Sequence, residues 1–228
     1  MKDIDYVYHF AGIADILESK KDPIKTINTN IVGTSLALKA SIDNSVKRFI
    51  MASTLYVYSP YGSFYRASKQ ASEIIIETFH KEYGINFTFL RYGSLYGPRA
   101  QDWNGLQRYI SQIVNNGSII YNGSGAEKRE YIHANDAARI SVDILSNDYL
   151  NKAVTITGQQ NFSSKEVLEM IFEISGIRKK ITYKENSNSD HYISTPYRYT
   201  PKSSEKIIPT QYKDFGEGIL EIIESIKK

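Results

Sequence analysis

Tyr65 and Lys69 stand four residues apart in "SPYGSFYRASKQASEIIIETF", a run with strong helical character. An α-helix turns once every ~3.6 residues, so positions i and i+4 share a face and the two groups can point at one place. A phenol with an ordinary pKa near ~10 is a poor base at neutral pH, and a nearby ammonium favours its ionised form. The pair could therefore move a proton. Among 18 tyrosines, however, an ordinary surface pair satisfies the spacing equally well. A proton-transfer site also needs a second donor to hold the reacting oxygen, and Ser53-Thr54 could supply it.

The elements needed to bring these groups together are legible in the periodicity. "IDYVYHFAG" (Ile4 to Gly12) reads as a buried strand ending in a glycine turn, and Pro23 to Asn44 as a helix beginning near a proline. Val46 to Ser53 reads as a second strand, Tyr65 to Tyr83 as a helix stopped by Gly84, and Asn86 to Gly93 as a third strand. This alternation predicts a parallel sheet with helical crossovers, and such sheets bind ligands beyond the carboxyl ends of their strands. His9 to Gly12, Ser53-Thr54 and Tyr92 to Ser94 occupy those ends, and Tyr65 opens the helix after the second.

Beyond Pro98 the pattern loosens. Helices are expected near Leu106 to Asn115, from Asn135, at Ser163 to Ser175 and at Phe215 to Ile226, with a strand at Ala153 to Thr157. Ser163 and Glu166 have the spacing of a capping box. The expected division is a Rossmann-like portion over residues 1–98 and a smaller mixed α/β lobe over 99–228, with segments returning to the first portion.

Composition narrows the chemistry. A net charge of +3 with short, separated basic clusters gives no nucleic-acid footprint. The absence of cysteine rules out a thiolate nucleophile or zinc–cysteine site and fits a reducing cytoplasm. His9, His80, His133 and His191 are scattered without metal-ligand spacing. No apolar run approaches the ~20 residues needed to cross a bilayer, and Asp3 and Asp5 stand where a signal peptide would be basic.

"HFAG", "NIVGT", "STLYVY", "YRASK", "LRYGSLYGPR" and "REYIHANDAA" occur in the order found in the extended short-chain dehydrogenase/reductases. Over nearly its whole length the chain resembles that family, most like its UDP-glucose 4-epimerase branch. The resemblance implies a doubly wound α/β fold, NAD as cofactor and a nucleotide-diphosphate sugar as substrate, in surface-polysaccharide or sugar-nucleotide biosynthesis. It makes Tyr65 the acid/base, Lys69 the group that lowers its pKa and bonds the nicotinamide ribose, and Thr54 the holder of the sugar hydroxyl. Phe10, Ala11, Gly12, Asn30, Ser53 and Tyr92 would line the dinucleotide. Arg129 would reach the diphosphate with paired charge-assisted hydrogen bonds; as a plain alternative it is a surface arginine in a hairpin beside Gly123 and Gly125. Ser94, the backbone at Leu106, and Asp190 would complete the substrate side. His133 and Asp136 match a pattern with a structural role, Asp136 belonging to a helix start.

Three departures qualify the resemblance. Dinucleotide-binding folds open with a strand, a Gly-x-x-Gly-x-x-Gly turn holding the pyrophosphate, and a residue that reads the adenosine ribose. Residues 1–12 contain no such turn. The chain is thus expected to begin at the family's fourth strand, leaving NADP as open as NAD, NAD binding weak, and an apolar strand edge exposed to association, including as a homodimer. Only six residues, Ser59 to Phe64, separate Tyr58 from Tyr65, and Ser94 replaces the family's usual asparagine. Both weaken 4-epimerisation and leave reductase or dehydratase chemistry open, although Leu55 and Tyr56 do not supply a dehydratase's acidic pair. A non-catalytic remnant or interaction module is the remaining reading.

Overall fold

The computed structural model of the protein describes residues 3–184, 191–197 and 205–227. Its centre is a five-stranded sheet, parallel throughout, in the order β1 (Tyr6–His9), β2 (Arg48–Thr54), β3 (Asn86–Tyr92), β7 (Lys152–Ile156) and β10 (Glu205–Ile207). Between β3 and β7 the chain forms β4 (Ser94–Tyr96), β5 (Ile119–Asn122) and β6 (Lys128–His133). It then adds β8 (Asn161–Ser163) and β9 (Ile181–Lys184) to make two small accessory sheets, β4–β6–β8 and β5–β9.

Successive side chains on a strand face opposite sides, and each face of the main sheet has its own core. Phe49, Met51, Phe87 and Phe89 pack on one face against Leu38 and Ile76 from the crossover helices. Ile50, Leu90, Val154 and Ile156 pack on the other against Ala137, Ile140 and Ile144. With both faces covered, β2 and β3 read as nearly continuous buried runs. A third core joins α5 (Gly105–Asn116), α7 (Ser164–Ser175) and α8 (Phe215–Lys227) through Ile110, Leu168, Ile171 and Ile219. The chain is therefore α/β with a Rossmann-like parallel sheet. Among the described residues no helix is long and apolar enough to cross a membrane.

The largest correction to the sequence reading falls between β1 and β2. α1 (Ile16–Lys21) is new, and from Pro23 the chain is helical as expected but runs through α2 (Pro23–Ile27), a π turn (Asn28–Val32) and α3 (Gly33–Asp43). The unexpected α1 is only 6 residues long and is started by Asp15, whose carboxylate accepts from the amides of Leu17 and Glu18. Asp22 repeats this for α2 by accepting from Lys25. Short side-chain-capped helices carry too little periodicity to stand out. α4 (Ser63–Tyr83) begins two residues before Tyr65 and ends at Gly84, whose φ of 74° is the left-handed cap a glycine takes without strain. The capping box at Ser163 forms as expected. α6 (Ala134–Asp143) is capped by the His133 ring, while Asp136 sits buried in its first turn, ion-paired with Arg139.

Candidate active site

β2 and β3 end together, with Ser53 opposite Arg91 and Thr54 opposite Tyr92. From Thr54 the chain turns through one 3-10 turn (Leu55–Tyr58) and enters α4 after Gly62. Gly62 has φ 100°, and a Cβ there would lie 2.6 Å from the Tyr56 ring, so the short lead-in requires glycine on both counts. The buried Ser19 hydroxyl of α1 accepts from the Tyr65 amide at 3.1 Å, fixing the first turn of α4. Tyr65 and Thr54 are thereby brought close enough for the Thr54 hydroxyl to influence the phenol. Lys69, one turn on, is buried and donates to the Ala52 carbonyl at 2.8 Å.

The electrostatics differ from the sequence expectation in one respect. Burial pushes Tyr65 up to about 12; Thr54 pulls it partly back and Tyr192 pushes it further up. Lys69 does not figure among these causes. Burial brings Lys69 itself down to about 8, opposed by Glu73. At neutral pH Tyr65 holds its proton, and Lys69 remains mainly an ammonium.

Beneath the pair lies a network that the motif search did not reveal. Glu73, one turn beyond Lys69, is fully buried and receives Arg91 Nε at 3.0 Å and Nη2 at 2.7 Å. Its Oε1 also accepts from Ser53 Oγ at 2.6 Å, and Arg91 Nη1 donates to the Tyr58 hydroxyl. The Ser53 side chain is therefore directed at the helix, whereas the resemblance put this residue beside the cofactor.

On the β1 side, Ala11 and Gly12 are exposed at the end of the strand. A Cβ on Gly12 would lie 2.9 Å from Asn30 Oδ1 and 3.5 Å from Lys69 Nζ. Asn30 sits in the π turn, and its amide is fully engaged: it donates to the Ile13 carbonyl and Ser68 Oγ and accepts from the Ile13 amide. π turns frequently mark functional sites, and this one aims Asn30 at the loop that carries Gly12. Phe10 is 54% exposed and meets Tyr92 edge to face. Burial pushes Tyr92 up to about 12, and its hydroxyl lies 2.6 Å from Ser141 Oγ.

The substrate-side residues converge through two tyrosines that sequence reasoning missed. Ser94 neighbours Tyr192 and partly offsets the rise that burial imposes on its phenol. The Arg129 guanidinium lies 4.2 Å from the centre of the Tyr192 ring. Tyr192 in turn packs on Tyr56 at 4.8 Å, and Tyr56 meets Tyr65 edge to face at 6.1 Å. The Tyr56 hydroxyl is 2.5 Å from His191 Nδ1. Thr54, Tyr65, Ser94 and Arg129, from four separate elements, thus share one aromatic wall. Tyr56 stood inside a quoted motif; Tyr192 follows a polar stretch with no periodicity. The Leu106 side chain belongs to the third core. Asp190 lies outside the described residues. Among those residues no cluster of His, Cys, Asp or Glu could hold a metal ion.

A model of the NAD-dependent epimerase/dehydratase family matches residues 1–156. The chain belongs to that family. It is 27% identical over 196 residues to UDP-glucuronate 4-epimerase of Thermodesulfobacterium geofontis, covering 79% of this chain and 60% of the relative. It is 25% identical over 185 residues to dTDP-glucose 4,6-dehydratase of Streptomyces griseus, covering 75% and 56%. Among solved structures, UDP-glucuronic acid 4-epimerase from Bacillus cereus, in complex with UDP-glucuronic acid and NAD, superposes with a TM-score of 0.83 at 25% identity. That match covers 99% of this chain and 76% of the other. The chain spans about 60% of the length of the first curated relatives it matches.

Proposed function

We propose that this chain carries the proton-transfer and sugar-binding part of an NAD-dependent nucleotide-sugar epimerase. The carrying observation is the convergence of Tyr65 with Thr54, which act on each other electrostatically, with Lys69 one turn below and its ammonium against the exposed Gly12 backbone. Ala11 and Gly12 offer uncovered main chain beside that ammonium, which fits the nicotinamide–ribose end of a dinucleotide. Within residues 1–12 there is no glycine-rich turn for the pyrophosphate. When bound, NAD would supply the site that accepts and returns hydride.

The chain's own residues would do the rest. Thr54 and Tyr65 hold one sugar hydroxyl between them. Tyr65, protonated at neutral pH, is set to deliver a proton to a carbonyl oxygen. Taking one from a hydroxyl requires positive charge at the phenol, and Lys69 is the neighbouring ammonium. Ser94 and the Tyr56–Tyr192 wall orient the sugar, and Arg129, freed from the Tyr192 face, meets the diphosphate. Leu55 and Tyr56 stand where a dehydratase would want acids, which favours epimerisation over dehydration. The cysteine-free composition supports a cytoplasmic reaction.

A second reading, a sugar-nucleotide-binding module without catalysis, draws on the open edge of β1. Fluorescence titration of the chain with NADH, followed by incubation with NAD and a panel of nucleotide sugars, separates the two. Saturable NADH binding with interconversion of one sugar pair supports the epimerase. Sugar-nucleotide binding without NADH binding supports the module.

A further inference from the structure

Glu73 has no part in the proton-transfer reading, yet it is the fully buried carboxylate nearest in sequence to Lys69 on the same helix face. Burying a carboxylate is costly unless it is paired and hydrogen-bonded, and three donors meet this one: Ser53 Oγ, Arg91 Nε and Arg91 Nη2. Those donors come from the ends of β2 and β3, next to Thr54 and Tyr92. Arg91 is held in turn by the hydroxyl and ring of Tyr58 at the close of the turn that leads into α4. One carboxylate thus joins the two central strands to the helix bearing Tyr65 and Lys69.

We infer that Glu73, seated on Arg91, is a positioning residue for the proton-transfer pair: its negative charge keeps the buried Lys69 an ammonium, and its hydrogen bonds fix α4 to the strand that carries Thr54. The inference rests on the reading of Tyr65 and Lys69 as that pair. Lys69 is 6% exposed and donates to the Ala52 carbonyl, a neutral acceptor. The ionisable groups near it are Tyr65 and Glu73 on α4 and His9 on β1, with Arg91 of β3 beyond Glu73. His9 and Arg91 cannot attract a cation, and Tyr65, pushed up to about 12, is a phenol at neutral pH. Among the described residues Glu73 is the group that supplies opposite charge, and it acts to raise the proton affinity that burial lowers.

The test is the titration of Lys69 in the full chain without nucleotide, followed by NMR of lysine labelled with carbon-13 at Cε, the Lys69→Met spectrum identifying its signal. Glu73→Gln is expected to lower the proton affinity of Lys69 about tenfold or more. Glu73→Asp should restore most of it while leaving the chain less stable to heat. An unmoved Lys69 midpoint alongside a lower melting temperature in Glu73→Gln would overturn the inference and leave a purely structural ion pair. If Glu73→Gln does not fold, Glu73→Leu with Arg91→Leu removes the charges together and avoids an unpaired buried cation. Lys69 should then still lose proton affinity severalfold, and an unchanged midpoint would again overturn the inference. Because no cofactor or substrate enters the measurement, its failure is distinct from failure of the epimerase reading, which NADH and sugar-nucleotide titrations report.

Discussion

The carboxyl edge of the sheet has two contrasting regions. At the ends of β2 and β3, Thr54, Lys69, Glu73 and Arg91 are buried and each meets a partner. At β1, one strand away, pairing among the described residues is to β2 alone, and Tyr6, Tyr8 and Phe10 are 36–54% exposed. The first region is a preorganised polar interior whose geometry is fixed before any ligand arrives. The second presents main-chain groups and aromatic faces of the kind that proteins ordinarily cover. On the proposed function, the proton chemistry falls in the first, finished half and the dinucleotide contact in the second, open half.

If the finished half performs catalysis, the largest effect should come from its hydroxyl. Tyr65→Phe keeps the ring contacts with Tyr56 and removes the proton, so turnover with NAD and the sugar nucleotide should fall ~10³-fold. Sugar-nucleotide affinity by calorimetry should hold, and near-normal turnover would reject Tyr65 as the acid/base. Next is Glu73→Ala, which strands the Arg91 cation in the interior. It should cost about 3–5 kcal/mol in urea unfolding, whereas a loss below about 1 kcal/mol would mean that the region is wetter than its burial implies.

Lys69→Met tests the cost of keeping an ammonium there. The folded state lowers the lysine from 10.5 to about 8, so the unfolded chain binds the proton more tightly. Native stability is therefore lost as pH falls from about 10.5 to about 8 and is constant below. The methionine variant should gain about 3 kcal/mol at pH 7, a gain that shrinks to nothing above the upper limit. A gain independent of pH would indicate packing and not charge. The smallest effect belongs to the open half: Phe10→Lys should change stability by less than about 0.5 kcal/mol. It should still reduce concentration-dependent self-association in sedimentation velocity, and unchanged association would show that β1 is not the sticky surface.

Strand positions were legible because β1, β2, β3 and β7 are short apolar runs bounded by turns, which period and punctuation identify. α4 was legible for its length, its periodic apolar positions and Gly84. α1 and the π turn were not, since a helix of 6 residues held by one aspartate leaves almost no pattern. Within the site, Tyr65, Lys69 and Thr54 could be chosen by residue type and order. Glu73 and Arg91 looked like ordinary helix and strand charges, because nothing in a one-dimensional string says that both side chains lie inside. Tyr192 was hidden for another reason: it reaches Ser94 and Arg129 across sequence separations of 98 and 63 residues, and its own neighbours in sequence carry no periodicity.

By itself the sequence determined the parallel α/β architecture and the helical spacing that stacks Tyr65 over Lys69, because both follow from local periodicity. Only the tertiary structure decided the protonation states and the neighbours. Burial raises Tyr65 and lowers Lys69, Glu73 opposes the second shift, and Tyr56 and Tyr192 bind the substrate-side residues into one wall. Charge and desolvation act through space, and the strand ends bring together groups that the chain keeps far apart.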